Sequence, residues 1–137
     1  MDKQIDVLVH GIRLWQKSGV LNGANPPPYA AEVPGDSQRG FVAYGTYCSA
    51  CHGSEGRGDK KGSSIVDGSF LALVSDQYLR TTVIVGRPEL GAPDWRNDVS
   101  GHPMSAQEVS DVVAWLAAQR GQFPGQPYPA STLNSEK

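Results

Sequence analysis

The two cysteines of the chain, Cys48 and Cys51, are separated by two residues, and His52 follows the second one directly. A C-x-x-C pair can be a redox-active dithiol, part of a zinc site or, when histidine follows, the attachment motif of a c-type haem. Haem attachment needs this spacing because the two thiols add to neighbouring vinyl groups of the porphyrin. The next residue then lies below the ring, where its imidazole reaches the iron.

The residues before the motif favour the haem interpretation. A thioredoxin-like dithiol follows a buried strand, whereas residues 36–47 have a helical pattern with Asp36 or Ser37 as the cap and Phe41, Tyr44 and Tyr47 at helical spacing. A structural zinc site needs four nitrogen or sulfur ligands, and the sequence has no second C-x-x-C and no H-x-x-x-H. The motif therefore predicts covalent haem attachment.

Composition limits the function classes. The 137 residues are enough for one domain, and the net charge of −2 argues against a nucleic-acid binder, which needs a basic patch. No run of 18 apolar residues occurs, so the sequence predicts no membrane span. Sixteen glycines and ten prolines indicate a loop-rich chain, and such a chain often needs a cofactor to complete a thin apolar core.

Over residues 36–120 the sequence resembles a class I c-type cytochrome. The resemblance is carried by a helix ending in YCSACHG, the loop GSEGRGD and the late amphipathic helix SAQEVSDVVAWLAAQR. It implies a mainly α, loop-rich fold of three or more helices wrapped around one covalently bound haem c with its iron. The domain organisation is then an N-terminal extension and Pro-rich linker (1–35), the cytochrome c domain (36–120) and a Pro/Gly-rich tail (121–137).

Two further helices are predicted from local signals. In the late helix the apolar residues Val109, Val112, Val113 and Leu116 form one stripe, Ser105 and Glu108 form a capping box, and Gly121 is a C-terminal stop. The segment SDQYLRTTVIVG is a helix between Ser75 and Gly86.

The resemblance also implies that the first and last helices of the haem domain cross. Gly40, Phe41 and Tyr44 would supply one side of this crossing and Trp115 the other. In the extension, residues 2–18 are predicted to form a helix with Ile5, Leu8, Ile12 and Trp15 on one face. In the tail, Phe123 and Tyr128 are candidates to hold it against the domain.

The resemblance makes His52 the proximal iron ligand and Cys48 and Cys51 the thioether anchors. The family usually supplies a distal methionine, but in GAPDW the residue Ala92 stands where it is expected. Met104 is the only methionine after the haem motif, and we take it as the distal ligand because Met/His ligation is usual in electron carriers.

Other distal arrangements stay open at the level of sequence. Met104 also precedes a helix cap, where an apolar residue normally packs on the first turn. His102 lies in the same loop, the sixth position could be open at Ala92, and His10 in the extension is a remote candidate.

The predicted function is the transfer of single electrons between redox proteins, without enzymatic activity. The chain would do this as a free carrier or as a domain of a larger respiratory complex. The alternative is an open-site haem protein that binds a small gas or reacts with peroxide, for which Arg96 or His102 would be the nearest polar groups. Covalent haem attachment predicts a periplasmic or extracytoplasmic location. This expectation depends on the motif alone, because the segment MDKQIDVLVHG lacks a secretory signal pattern.

Overall fold

The computed structural model describes residues 2–19, 22–97, 99 and 101–121, and these residues form helices and loops without a strand. The helices are α1 (Lys3–Leu14), α2 (Ser37–Tyr47), α3 (Ser49–His52), α4 (Gly68–Leu73), α5 (Asp76–Val85) and α6 (Ala106–Ala118), with a 3₁₀ turn at Pro88–Leu90. The predicted mainly α fold is confirmed. Phe123 and Tyr128 lie outside the described residues.

Side-chain caps begin helices α2, α5 and α6 where the sequence predicts them. The carboxylate of Asp36 accepts the Arg39 N–H of α2 at 2.8 Å, and the Ser75 hydroxyl accepts the Tyr78 N–H of α5 at 3.0 Å. Ser105 and Glu108 form the predicted capping box of α6. Helix α6 ends at Ala118, before the predicted stop at Gly121, because its last turn tightens around Gln119.

Helix α4 is absent from the sequence predictions. Asp67 caps it by accepting the Phe70 N–H at 3.0 Å, and Leu71 is its buried residue. An Asp three residues before an apolar run is a cap signal, but six residues are too few to show a helical period.

Helices α2 and α6 cross at Gly40, as predicted. A Cβ atom on Gly40 would lie 1.9 Å from the Asp111 carbonyl oxygen and 2.8 Å from Trp115 Cβ, so only glycine permits this approach. Beside it the Tyr44 side chain is 0% exposed, with its ring centroid 4.3 Å from that of Trp115. The Phe41 ring lies 5.9 Å from Trp115 on the outer side.

A carboxylate on α6 holds the start of α2. Asp111 is 3% exposed and accepts the Asp36 N–H at 2.8 Å and the Arg39 Nε–H at 2.9 Å. The hydrogen bond from Arg39 keeps the pKa of Asp111 below its ordinary value, although burial opposes it. The ionised carboxylate therefore stabilises the crossing.

Hydrogen bonds hold the Pro-rich linker against α5 and α6. The buried Arg80 of α5 donates from Nη2 to the Pro28 carbonyl at 2.8 Å and from Nη1 to the Ser110 hydroxyl at 3.0 Å. Gln107 donates to the Pro34 carbonyl at 3.0 Å. The linker is thus an ordered part of the domain surface.

The predicted N-terminal helix is present as α1, which is shorter than residues 2–18. It has no buried side chain, and its apolar residues Ile5, Leu8 and Ile12 are exposed. None of the described helices is long and apolar enough to span a membrane.

Candidate cofactor site

The C-x-x-C-H motif forms a single helical turn. Cys48 ends α2 and precedes α3, and its carbonyl accepts the N–H groups of Cys51 at 3.2 Å and His52 at 3.0 Å. Residues three apart on a helix face the same side, so this turn directs Cys48 and Cys51 in a common direction. Both cysteines are free and half-buried.

The Cys48 thiol does not have the character of a redox-active cysteine. Burial, and secondarily the nearby Cys51, raises the pKa of Cys48 to about 12. A redox-active cysteine needs a lowered pKa, because the thiolate is the nucleophile. Among the described residues, no cluster of three or more His, Cys, Asp or Glu side chains could hold a metal ion.

The His52 ring is held by one hydrogen bond. Its Nδ1 lies 2.7 Å from the Ser63 carbonyl oxygen. A carbonyl oxygen only accepts hydrogen bonds, so Nδ1 is the donor, and in the neutral imidazole Nε2 keeps its lone pair. Metal-binding histidines commonly have this arrangement, in which a carbonyl fixes the tautomer and orientation of the ring. His52 therefore fits the role of an axial iron ligand.

The loop after the motif folds back on it. The Gly58 N–H donates to the His52 carbonyl at 2.8 Å, and the Ile65 N–H donates to the Gly56 carbonyl at 2.9 Å. A Cβ atom on Gly62 would lie 2.9 Å from His52 Nδ1 and 2.8 Å from the Cys51 carbonyl oxygen, so this position requires a residue without a side chain. Ser63 can then reach the ring.

The helix crossing is connected to the same loop. The buried Tyr44 hydroxyl, on α2, donates a hydrogen bond to the carbonyl of Gly53, the residue after His52. Burial raises the pKa of Tyr44, so the hydroxyl keeps its proton as a donor. The sequence marks Tyr44 as a packing residue, but it gives no signal for this bond or for the Ser63 carbonyl, since both depend on backbone atoms.

The surroundings of the motif are apolar. Cys48 packs against the buried core, which contains Tyr44, Leu79, Trp95 and the α6 stripe. The other partly buried apolar residues on this core are Ala24, Tyr47, Ile65, Val66, Phe70, Val74 and Val83. An apolar wall of this kind suits a flat hydrophobic cofactor with a few polar contacts.

No family model, curated protein or solved structure matches the chain. The chemistry of the site has to be inferred from its own residues. These are two free thiols on one helical turn, an imidazole with a fixed hydrogen-bond partner and an apolar core beside Cys48.

The distal candidates other than His10 lie between α5 and α6. Ala92 is partly exposed, and its N–H and C=O both pair with Arg87, at 3.0 and 2.9 Å, across the 3₁₀ turn. His102 is exposed, and its carbonyl accepts a hydrogen bond from the Asn97 side chain. His10 is exposed on α1.

Met104 is placed in the core. Its side chain is 5% exposed, and its N–H donates to the Trp95 carbonyl at 2.7 Å. It lies just before the Ser105 cap of α6 and belongs to the same apolar cluster as Val109, the fourth residue of that helix. These are the two positions that form a hydrophobic staple at a helix start.

Arg96, a candidate polar group for peroxide chemistry, is engaged elsewhere. Its guanidinium pairs with Asp94 and lies 4.9 Å from the ring centroid of Trp95. The pair raises the pKa of Arg96 and lowers that of Asp94. Arg96 is therefore a fixed cation and a poor proton-transfer group.

Proposed function

We propose that this chain binds one c-type haem covalently through Cys48 and Cys51, with His52 as an axial iron ligand, and carries single electrons between redox proteins. The observation that carries the proposal is the contact between His52 Nδ1 and the Ser63 carbonyl at 2.7 Å. It leaves Nε2 as the donor nitrogen and holds the ring in one orientation.

The motif and its surroundings support covalent attachment over dithiol chemistry. Cys48 and Cys51 lie on one turn, where two thioether bonds to one ring are possible. The raised pKa of Cys48 in the folded chain disfavours thiol–disulfide exchange, while the apolar residues beside it favour a large apolar group. The same features predict that the apolar core of the chain is completed only when the cofactor is bound.

A bound haem would supply a reversible one-electron couple. The residues of this chain would tune and protect that couple. The Ser63 carbonyl would make the imidazole of His52 a stronger donor by accepting a hydrogen bond from Nδ1–H, and the apolar core beside Cys48 would exclude water. Tyr44 keeps Gly53, and with it the ligand turn, against the helix crossing.

The loop after the motif offers charge for partner docking. Arg57, Lys60 and Lys61 are exposed there, while Glu55 pairs with Arg57 at 3.2 Å. Exposed cations near an electron-transfer site increase the rate of encounter with an acidic partner more than the affinity. We place the domain outside the cytoplasm, where thiol-competent haem attachment occurs, either as a free carrier or as a domain of a respiratory complex.

The function is tested by electron exchange after haem attachment. The protein is exported in a host with c-type maturation machinery, and the haem that remains attached after unfolding is measured first. A mediated redox titration then follows the visible spectrum. We expect one reversible single-electron step, and Cys48→Ala/Cys51→Ala as the control retains no covalent haem. A protein with attached haem that is not reversibly reduced and reoxidised would contradict electron carriage.

A further inference from the structure

Arg80 of α5 is a buried cation whose charge is not balanced by a paired carboxylate. It is 3% exposed, and among the described residues no carboxylate forms an ion pair with its guanidinium. Burial lowers the pKa of Arg80, and the charge of Glu32 opposes this only in part. By contrast, the buried Asp111 is paired with Arg39. A buried charge without a counterion is costly, so an anion beside Arg80 would be stabilised.

The guanidinium of Arg80 still has hydrogen-bond donors to offer. Of its five N–H groups, the one on Nε donates to the Pro28 and Tyr29 carbonyls at 3.0 and 3.1 Å. Nη2 donates to the Pro28 carbonyl at 2.8 Å, and Nη1 donates to the Ser110 hydroxyl at 3.0 Å. Within the described part of the chain, one N–H on Nη1 and one on Nη2 are therefore left without an acceptor. Two N–H groups on one guanidinium can bind both oxygens of a carboxylate.

A cavity of about 200 Å³ lies beside this guanidinium, between the Pro-rich linker and helices α5 and α6. Arg80 and Ser110 contribute polar groups to its wall. The apolar part of the wall consists of Ala31, Val33, Pro34, Val113 and Ala114. Sites for drug-sized ligands measure roughly 300–1,000 Å³, so this cavity suits a ligand of only a few heavy atoms.

We propose that this cavity binds a small aliphatic monocarboxylate, with its two oxygens on the guanidinium of Arg80 and its alkyl chain on the apolar wall. The Ser110 hydroxyl accepts a hydrogen bond from Arg80, and its own proton is a further donor for the ligand. The site is formed by the linker and the helices, so it adds a binding function that does not depend on the proposed haem.

The charge of the ligand follows from a second ionised group at the cavity. Asp76 also lines it, and the Asp76 carboxylate pairs with Arg120. A second negative charge on the ligand would face this carboxylate without a cation of its own, which disfavours phosphate and dicarboxylates. The apolar wall adds affinity for an alkyl chain, which chloride lacks. A monocarboxylate with a short alkyl chain satisfies both conditions.

The experiment measures butyrate binding to the full chain by isothermal titration calorimetry at low ionic strength. Butyramide has the shape of butyrate without its charge, and chloride has the charge without the alkyl chain. The variants are Arg80→Lys, Ala31→Leu and Glu32→Gln. Arg87→Lys is the matched control, because Arg87 is exposed and already pairs with Glu89. Circular dichroism verifies that each variant is folded.

We expect butyrate to bind at one site with a Kd of about 1 mM or lower, and butyramide and chloride to bind at least about tenfold more weakly. Arg80→Lys removes the planar pair of donors, and Ala31→Leu fills the cavity. Each should weaken butyrate binding at least about tenfold. Arg87→Lys should stay within about twofold of the native affinity, and Glu32→Gln should not weaken binding.

Three results would overturn the proposal. Equal affinity for butyrate and either butyramide or chloride would show that the site does not recognise a carboxylate with an alkyl chain. Native affinity in folded Ala31→Leu would place the ligand outside this cavity, and this test holds even where Arg80→Lys does not fold. Absence of binding in the native chain would reject the site, and binding in Glu32→Gln alone would then identify Glu32 as the anion that Arg80 holds.

Discussion

The two sides of the candidate site differ in how they are built. On the proximal side, residues 48–65 form one continuous turn and loop, and Ser63 reaches His52 from only eleven residues away. On the distal side, Met104 is linked to Trp95 and α6 and directs its side chain into the core. The residues of a short local motif thus position one another, whereas the position of a second iron ligand depends on the path of a longer segment.

The substitution with the largest expected effect is at the crossing of α2 and α6, which supports both sides of the site. Gly40→Ala places a methyl group 1.9 Å from the Asp111 carbonyl oxygen, so α2 and α6 have to separate. We expect unfolding free energy to fall by more than about 3 kcal/mol, measured by urea unfolding.

Gly45→Ala is the matched control on the same helix. Its Cβ atom would meet nothing within 4 Å, and alanine favours helix, so we expect stabilisation by about 0.5–1 kcal/mol. Equal effects of the two substitutions would show that the crossing is not closely packed.

On the distal side the staple is tested by truncation. Met104→Ala should lower the unfolding free energy of the matured protein by about 2–3 kcal/mol, because it removes buried apolar volume from the cluster that contains Val109. Met104→Leu keeps most of that volume and should cost less than about 1.5 kcal/mol. Thermal unfolding of the pair measures this, and a neutral Met104→Ala would place the side chain outside the core.

On the proximal side the loop is tested at Gly62. Gly62→Ala brings a methyl group to 2.9 Å from His52 Nδ1 and should displace the Ser63 carbonyl. We expect a loss of stability of about 1–2 kcal/mol and a weaker His52 donor, seen as a changed reduction potential in the matured protein. Gly68→Ala, where the methyl group meets nothing within 4 Å, should leave the potential unchanged.

The smallest expected effect is that of pH on the crossing. Because the hydrogen bond from Arg39 lowers the folded-state pKa of Asp111, its contribution is fully present above the unfolded value of about 3.9 and is lost as pH falls through the lower folded value. Asp111→Asn should therefore flatten the acid limb of stability below about pH 5. An unchanged pH dependence of stability in the Asp111→Asn variant would mean that Arg39 does not pair with the Asp111 carboxylate in solution.

The fold was predictable where the information is local. Caps at Asp36, Ser75 and Ser105 and the apolar stripe of α6 specify helices through neighbouring residues, and the structure has them. Gly40 and Trp115 at the crossing came from the resemblance, and the contact between their helices confirms that placement. Helix α4 was missed because its six residues show no period.

The site was predictable only in part. Cys48, Cys51 and His52 are evident from spacing, but the group that orients His52 is a backbone carbonyl, which any residue at position 63 would supply. The distal side was ambiguous because Met104 satisfies two patterns, a thioether in a distal loop and an apolar residue before a helix cap. The structure shows that Met104 is buried, and burial depends on contacts that the sequence does not display. The same limit applies to α1, because the periodicity of its apolar residues predicts a helix but does not say what its apolar face contacts.

The central claim is covalent haem at residues 48–52, and intact mass with peptide mapping tests it most directly. The protein is exported in a host with c-type maturation machinery, unfolded and digested. The account predicts that the peptide containing Cys48, Cys51 and His52 carries the mass of one haem bound to both sulfurs. Free thiols, or a disulfide between Cys48 and Cys51, in protein from a host that matures its own c-type cytochromes would contradict it.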